Sequence, residues 1–202
     1  YAVAGDVAEL DDAHRIAGQA AALVGPVDIL VHNASTLGPT PLRLLLDTDC
    51  EDLSHVLETN LVGAFRLTKI VAGSMALRGT GTIVHVSSDA AVSAYPHWGA
   101  YGISKAAQDQ LSRILDAELD GTQVRVLAVD PGEMDTVMHR DALPDADRAS
   151  LARPEDVAAH IVAMIRDESH ASNGARLEVG AWRSAFAADG DAVATQSTDL
   201  TS

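Results

Sequence analysis

Short apolar runs alternate with stretches of helical period along most of this chain, and that alternation restricts the fold more than any other feature. Residues 1–5, 28–32, 82–86, 123–129 and 176–179 read as strands. Helical patterns lie between them. Residues 11–24 place Ile16, Ala20 and Leu23 on one face and stop at Gly25-Pro26. A long helix over about 49–77 has Thr48 and Glu51 at capping-box spacing near its start. Two more follow, over about 99–119 and over 154–166, the second opened by Pro154. The run at 28–32 is almost continuously apolar, as in a strand buried on both faces. Repeated strand–helix alternation predicts an α/β fold with a doubly wound parallel sheet. Ligands on such sheets sit beyond the carboxyl ends of the strands. Functional residues are therefore sought just after each strand.

Composition narrows the partners. Apolar residues make up 47% of the chain and aromatics 3%, so Ala, Val and Leu must do the packing. A net charge of −15 repels phosphate backbones and anionic lipid, which argues against nucleic-acid and membrane partners. The single cysteine, Cys50, cannot form an internal disulfide, which fits a reducing, cytoplasmic setting. No metal-ligand cluster stands out. Residues 1–182 are expected to form one domain, and the polar, Ala-rich stretch 183–202 a disordered tail.

Tyr101 and Lys105 stand one helical turn apart on the same face. A nearby ammonium favours a phenolate and eases proton exchange near neutral pH. A core tyrosine beside an exposed lysine would show the same spacing. Ser88 follows the strand at 82–86, where its hydroxyl can bond a substrate oxygen as charge develops on it. Ser87 and Ser88 can equally satisfy loop backbone groups. His85 and His97 lie close enough in sequence to raise a serine hydrolase as a rival, yet no G-x-S-x-G elbow is present.

Ser88 followed by Tyr101 and Lys105 resembles the active-site signature of the short-chain dehydrogenases/reductases. Further matches run in order along the chain. Asp6-Val7 is similar to the family's adenine-contacting pair, and Asn33-Ala34 to the middle of its Asn-Asn-Ala-Gly motif. Asn60 stands where the family keeps its active-site asparagine, and Pro131-Gly132 with Thr136 resembles its Pro-Gly-x-x-x-Thr segment. The resemblance covers residues 1 to about 180. It implies a Rossmann-like domain and an enzyme that moves a hydride between NAD or NADP and a small carbonyl or alcohol. By the same resemblance Tyr101 gives or takes the proton, Ser88 orients the oxygen, Lys105 lowers the tyrosine pKa and holds the ribose, and Asn60 supports the proton path. Asp6, Val7, Asn33, Ala34, Pro131, Gly132 and Thr136 would contact the cofactor. Asp6 could instead cap a turn, and Thr136 a short helix.

The chain also departs from the family. His32 and Ser35 replace the outer residues of the Asn-Asn-Ala-Gly motif, and Glu133 brings a charge toward the substrate end. The Gly-rich Thr-Gly-x-x-x-Gly-x-Gly turn is nowhere in the sequence. The expectation is therefore a domain lacking its first two strands and that turn. Two absent strands would leave either a gap of roughly 14 Å between residues 2–5 and 29–32 or a displaced N-terminus. Residues 89–98 and 133–150 should form the substrate pocket, with Tyr95, His97, Trp98, Met134 and Met138 as walls. In the family the two long helices, here about 49–77 and 99–119, often pair between subunits, so the resemblance implies a homodimer or homotetramer. A non-catalytic nucleotide-binding or regulatory protein on the same fold is the alternative.

Overall fold

In the computed structural model, which describes residues 1–167, 174 and 176–182, four strands form one parallel sheet in the order β1-β2-β3-β4. They are β1 (Ile29–His32), β2 (Thr80–Val86), β3 (Gln123–Asp130) and β4 (Arg176–Glu178). The helices are α1 (Leu10–Val24), α2 (Cys50–Leu57), α3 (Gly63–Arg78), α4 (Gly99–Glu118), α5 (Val137–Ala142) and α6 (Pro154–Arg166). A π-helical turn, Glu58–Val62, joins α2 to α3, so the expected long helix is real but carries a bulge at Asn60. Residues 183–202, expected as a tail, lie outside the described residues.

The pleat sorts the strand side chains between two cores. Ile83, Val124 and Val126 pack with Leu67, Val71 and Met75 of α3 and with Leu115 of α4. Their neighbours Val84, Leu127 and Val129 pack on the other face, against Val157 and Met164 of α6. Helices thus cover both faces, as a doubly wound sheet requires. Each fully buried aliphatic side chain contributes roughly 1.5–3 kcal/mol. Among the described residues no helix is long and apolar enough to cross a membrane.

Four expectations need correction. Residues 1–6 form no strand and do not pair with β1. A strand needs a ladder partner, and this segment and the turn after it bond instead to helices: Arg15 donates to the Ala4 carbonyl at 2.7 Å and Arg66 to that of Ala8 at 2.6 Å. Gly63 permits the approach, because a Cβ there would stand 2.5 Å from the Val7 carbonyl oxygen. Second, β1 is not buried on both faces: Ile29 and Val31 are 50% and 45% exposed, since β1 is the edge strand of the described sheet. Third, no capping box forms. Thr48 spends its hydroxyl on the Leu44 carbonyl at 3.0 Å, and the N-cap moves to Asp49. Fourth, α1 packs Ile16 against the core as expected, together with Ala13 and Ala17, but leaves Leu23 exposed.

Candidate active site

The carboxyl ends of β1, β2 and β3 open together onto a cavity of about 440 Å³. Asn33 follows β1, Ser87 and Ser88 follow β2, and Asp130 ends β3 with Pro131-Gly132 behind it; all line the cavity. Helix α4 presents Tyr101 and Lys105 to the same space, and Thr136 and His139 reach it from α5 and its cap. Seven residues singled out from the sequence are thus gathered at one rim: Asn33, Ser88, Tyr101, Lys105, Pro131, Gly132 and Thr136.

Others stand apart. Asn60 is fully buried behind the cavity wall. Its Oδ1 accepts from the Thr36 N–H at 2.8 Å, and its Nδ2 donates to the Thr36 carbonyl and the Ser104 hydroxyl, each at 2.9 Å. Ala34, Asp6 and Val7 do not line the cavity. Asp6 caps its own turn, accepting from the Ala8 N–H at 2.9 Å, and Val7 packs against the core under α3. Of the expected walls, Tyr95, Trp98, Met134 and Met138 line the cavity. His97 does not. Its backbone takes a φ of 72°, and it lines the neighbouring clefts beside Leu45 and Ala100.

Burial governs the electrostatics. It pushes the Tyr101 phenol up to about 12; the Ser88 hydroxyl beside it offsets part of this, and the Asp130 and Asp89 carboxylates add to it. Burial also brings the Lys105 ammonium down to about 8, against the pull of Asp109. The expected depression of the tyrosine by the lysine is therefore not what this arrangement shows. The ammonium points to the Val86 carbonyl, 2.7 Å away, and stands 5.6 Å from the centre of the phenol ring. At neutral pH Tyr101 keeps its proton, and Lys105 is close to exchanging one.

Ser88 donates to the Asp89 carboxylate at 3.0 Å and accepts from the Ala90 N–H at 3.2 Å, while Tyr95 donates to the other Asp89 oxygen at 2.9 Å. Thr136 accepts from the His139 N–H at 3.1 Å, so it does cap α5 while facing the cavity. Gly132, at φ 73°, turns the chain after β3, and its N–H is held by Asp130 at 2.9 Å.

Behind the rim lies a polar layer that sequence reasoning missed. Gln108 donates to the Asn60 carbonyl at 3.0 Å and stands 3.4 Å from the Lys105 ammonium. Arg176 on β4 pairs closely with Asp130 and lies 3.9 Å from Asp109. His32 and His85 stack with ring centroids 4.7 Å apart; His32 bonds Thr68 and His85 bonds Ser112. Burial holds His32 down to about 4 and His85 well below its ordinary value, with Lys105 adding to both. A signal did exist. Ser104, Gln108 and Ser112 recur every fourth residue on the buried face of α4, a polar stripe where apolar residues are usual.

Comparison with known proteins agrees with this geometry. Residues 1–147 match the family described as short chain dehydrogenase. Carbonyl reductase (NADPH) 2 of Sus scrofa is 34% identical over 169 residues, spanning 78% of this chain and 68% of the pig protein. A short chain dehydrogenase structure from Pseudomonas syringae superposes with a TM-score of 0.80 at 29% identity, covering 88% of this chain and 72% of its own. Another from Escherichia coli CFT073, complexed with NADPH, gives a TM-score of 0.76 at 25% identity, covering 85% and 70%.

Proposed function

This chain belongs to the short-chain dehydrogenase family, and from that premise we propose that it is an NAD(P)-dependent oxidoreductase interconverting a carbonyl compound and its alcohol. The observation that carries the reading is the convergence of Ser88, Tyr101 and Lys105 on one cavity at the carboxyl rim of the sheet. The residues present fit the nicotinamide end of the cofactor. Asn33, Lys105, Pro131, Gly132 and Thr136 line the cavity, and the space where a Cβ of Gly132 would stand is open. When bound, the nicotinamide supplies or accepts the hydride.

The chain's own residues handle the oxygen and the proton. Tyr101, protonated at neutral pH, holds the proton that a carbonyl oxygen takes up as it becomes an alcohol. Ser88 orients that oxygen, and its own hydroxyl is steered by Asp89. Lys105, at about 8, restores the proton to the phenol, and Gln108 and Asn60 hold the ammonium's surroundings in place. Asp6, Val7 and Ala34 remain proposed cofactor contacts outside the cavity.

Tyr101→Phe tests the reading. The ring stays buried and the substitution removes only the phenol's contact with the Ser88 hydroxyl at the cavity, so the variant should keep its fold, with a melting temperature within a few degrees of the wild type. Its ketone-dependent oxidation of NADPH or NADH should fall by about two orders of magnitude or more. Full activity in Tyr101→Phe would overturn the assignment.

We also propose a homodimer or homotetramer. Exposed Phe65 and Leu77 on α3, with Ile103 and Ile114 on α4, support it as apolar surface that a partner can cover. A monomeric mass by light scattering would remove it. The single free cysteine supports a cytoplasmic setting.

A further inference from the structure

Tyr101, Lys105 and Asp109 stand four residues apart in turn, so a phenol, an ammonium and a carboxylate form one row along a face of α4. Tyr101 and Lys105 line the cavity; Asp109 lies one turn farther along and does not. It is only 2% exposed, and neither of its carboxylate oxygens accepts a hydrogen bond among the described residues. A carboxylate so placed is costly unless cations answer it. Arg176 answers it in part: its Nε stands 3.9 Å from Oδ2, beyond hydrogen-bond range, and its closest contact goes to Asp130. Burial therefore pushes the Asp109 carboxyl up, while the nearby Ser87 hydroxyl, Arg176, Arg113 and Lys105 each pull it back.

The surroundings of Lys105 show what this charge does. The ammonium donates to neutral oxygens, those of Val86 at 2.7 Å and Gln108 at 3.4 Å. Burial holds His32 on β1 and His85 on β2 uncharged at neutral pH, and Tyr101 on α4 keeps its proton. Asp130 on β3 is taken up by Arg176 on β4, and Asp89 by the Ser88 and Tyr95 hydroxyls. Asp109 is the anion that favours the charged form of Lys105 against burial. We infer that Asp109 is a positioning residue for the reaction: its buried carboxylate holds on the Lys105 ammonium the proton that resupplies Tyr101. The inference rests on the hydride-transfer reading and deepens it, because it names what keeps the lysine loaded between turnovers.

Lysine labelled with carbon-13 at Cε reads this directly by NMR, since the chain holds two lysines, Lys105 and the surface residue Lys69. In the wild type the Lys105 signal should titrate near pH 8. Removing the anion disfavours the charged amine, so in Asp109→Asn the midpoint should fall by about one pH unit. The pH at which reductive kcat declines should fall with it. Asp109→Glu, which keeps the charge, should leave the Lys105 midpoint closer to the wild type. Asp109→Ser is the neutral variant should the amide not fit. An unmoved Lys105 midpoint in the neutral variant, or equal midpoints in it and in Asp109→Glu, overturns this inference alone. So does a neutral variant whose kcat is lower at every pH while the decline stays in place, because that marks a merely structural carboxylate. If neither neutral variant folds, the carboxylate holds α4 to β4 rather than a proton, and the inference is overturned as well. A wild type that turns over no ketone with NADPH or NADH overturns the hydride-transfer reading and leaves only the coupling of Lys105 to Asp109 standing.

Discussion

Replacing Asn60 with alanine separates its structural part from any role in proton movement. The side chain ties three elements together from the π-helical turn: the loop after β1 through both backbone groups of Thr36, and α4 through Ser104. Asn60→Ala removes three hydrogen bonds and leaves a Thr36 N–H, a Thr36 carbonyl and a Ser104 acceptor without it. Each such loss costs about 1 kcal/mol, and more where the orphaned group is buried. The sum is about 3–4 kcal/mol. For a chain of this size that corresponds to a melting temperature lower by roughly 6–16 °C. Urea unfolding measures it directly, as a lower midpoint at unchanged slope. Asn60→Asp is the control for volume. It keeps the Thr36 N–H bond but sets an oxygen against the Thr36 carbonyl, so it should be at least as damaging as alanine. A loss below about 1 kcal/mol in Asn60→Ala, or a neutral Asn60→Asp, would refute the three-way tie.

Three pH effects follow from burial. Lys105 has a folded pKa of about 8 against an ordinary 10.5, so between these values the unfolded chain binds more protons and stability rises with pH. The stability of the wild type relative to Lys105→Met should therefore improve by about 3 kcal/mol from pH 7 to pH 11, and a flat difference by urea unfolding would contradict the burial argument. The histidine pair acts at the other end. His32 falls from 6.5 to about 4 on folding, so its contribution is complete above 6.5 and is lost as pH falls toward 4, with His85 adding in the same direction. His32→Asn should move the acid-unfolding midpoint, followed by circular dichroism, to lower pH; an unmoved midpoint would count against it. In the reductive direction, ketone turnover should decline as pH rises through about 8, where Lys105 gives up its proton. A steady rate from pH 7 to 10 would show that Lys105 does not resupply Tyr101.

Much of this was legible before any coordinates, and the parts that were not share a cause. Strand and helix periods located β2, β3, α4 and α6 closely, because each is long or framed by clear stops such as Pro154. The rim residues were found because their order and spacing survive without three-dimensional knowledge. Residues 1–5 were misread because a strand-like composition does not supply a strand to pair with. Thr48 was misread because a hydroxyl can bond a preceding carbonyl as readily as a helix N–H, and here it donates to that of Leu44. The phenol pKa was misjudged because spacing along a helix says nothing about burial, the larger influence at Tyr101. Arg176 and Asp130 lie far apart in sequence, so nothing local announced their pairing.

The apolar side chains on the outer faces of α3 and α4 have a consequence for how these molecules meet one another. Phe65, Leu77, Ile103 and Ile114 stand exposed there. Surface of this kind draws a second molecule by the water it releases. Mutual repulsion from a net charge of −15 opposes that encounter. Added salt screens this repulsion over about 10 Å at 0.1 M and over shorter distances above it. Colloidal behaviour should accordingly be most forgiving in dilute buffer, and turbidity should grow with ionic strength.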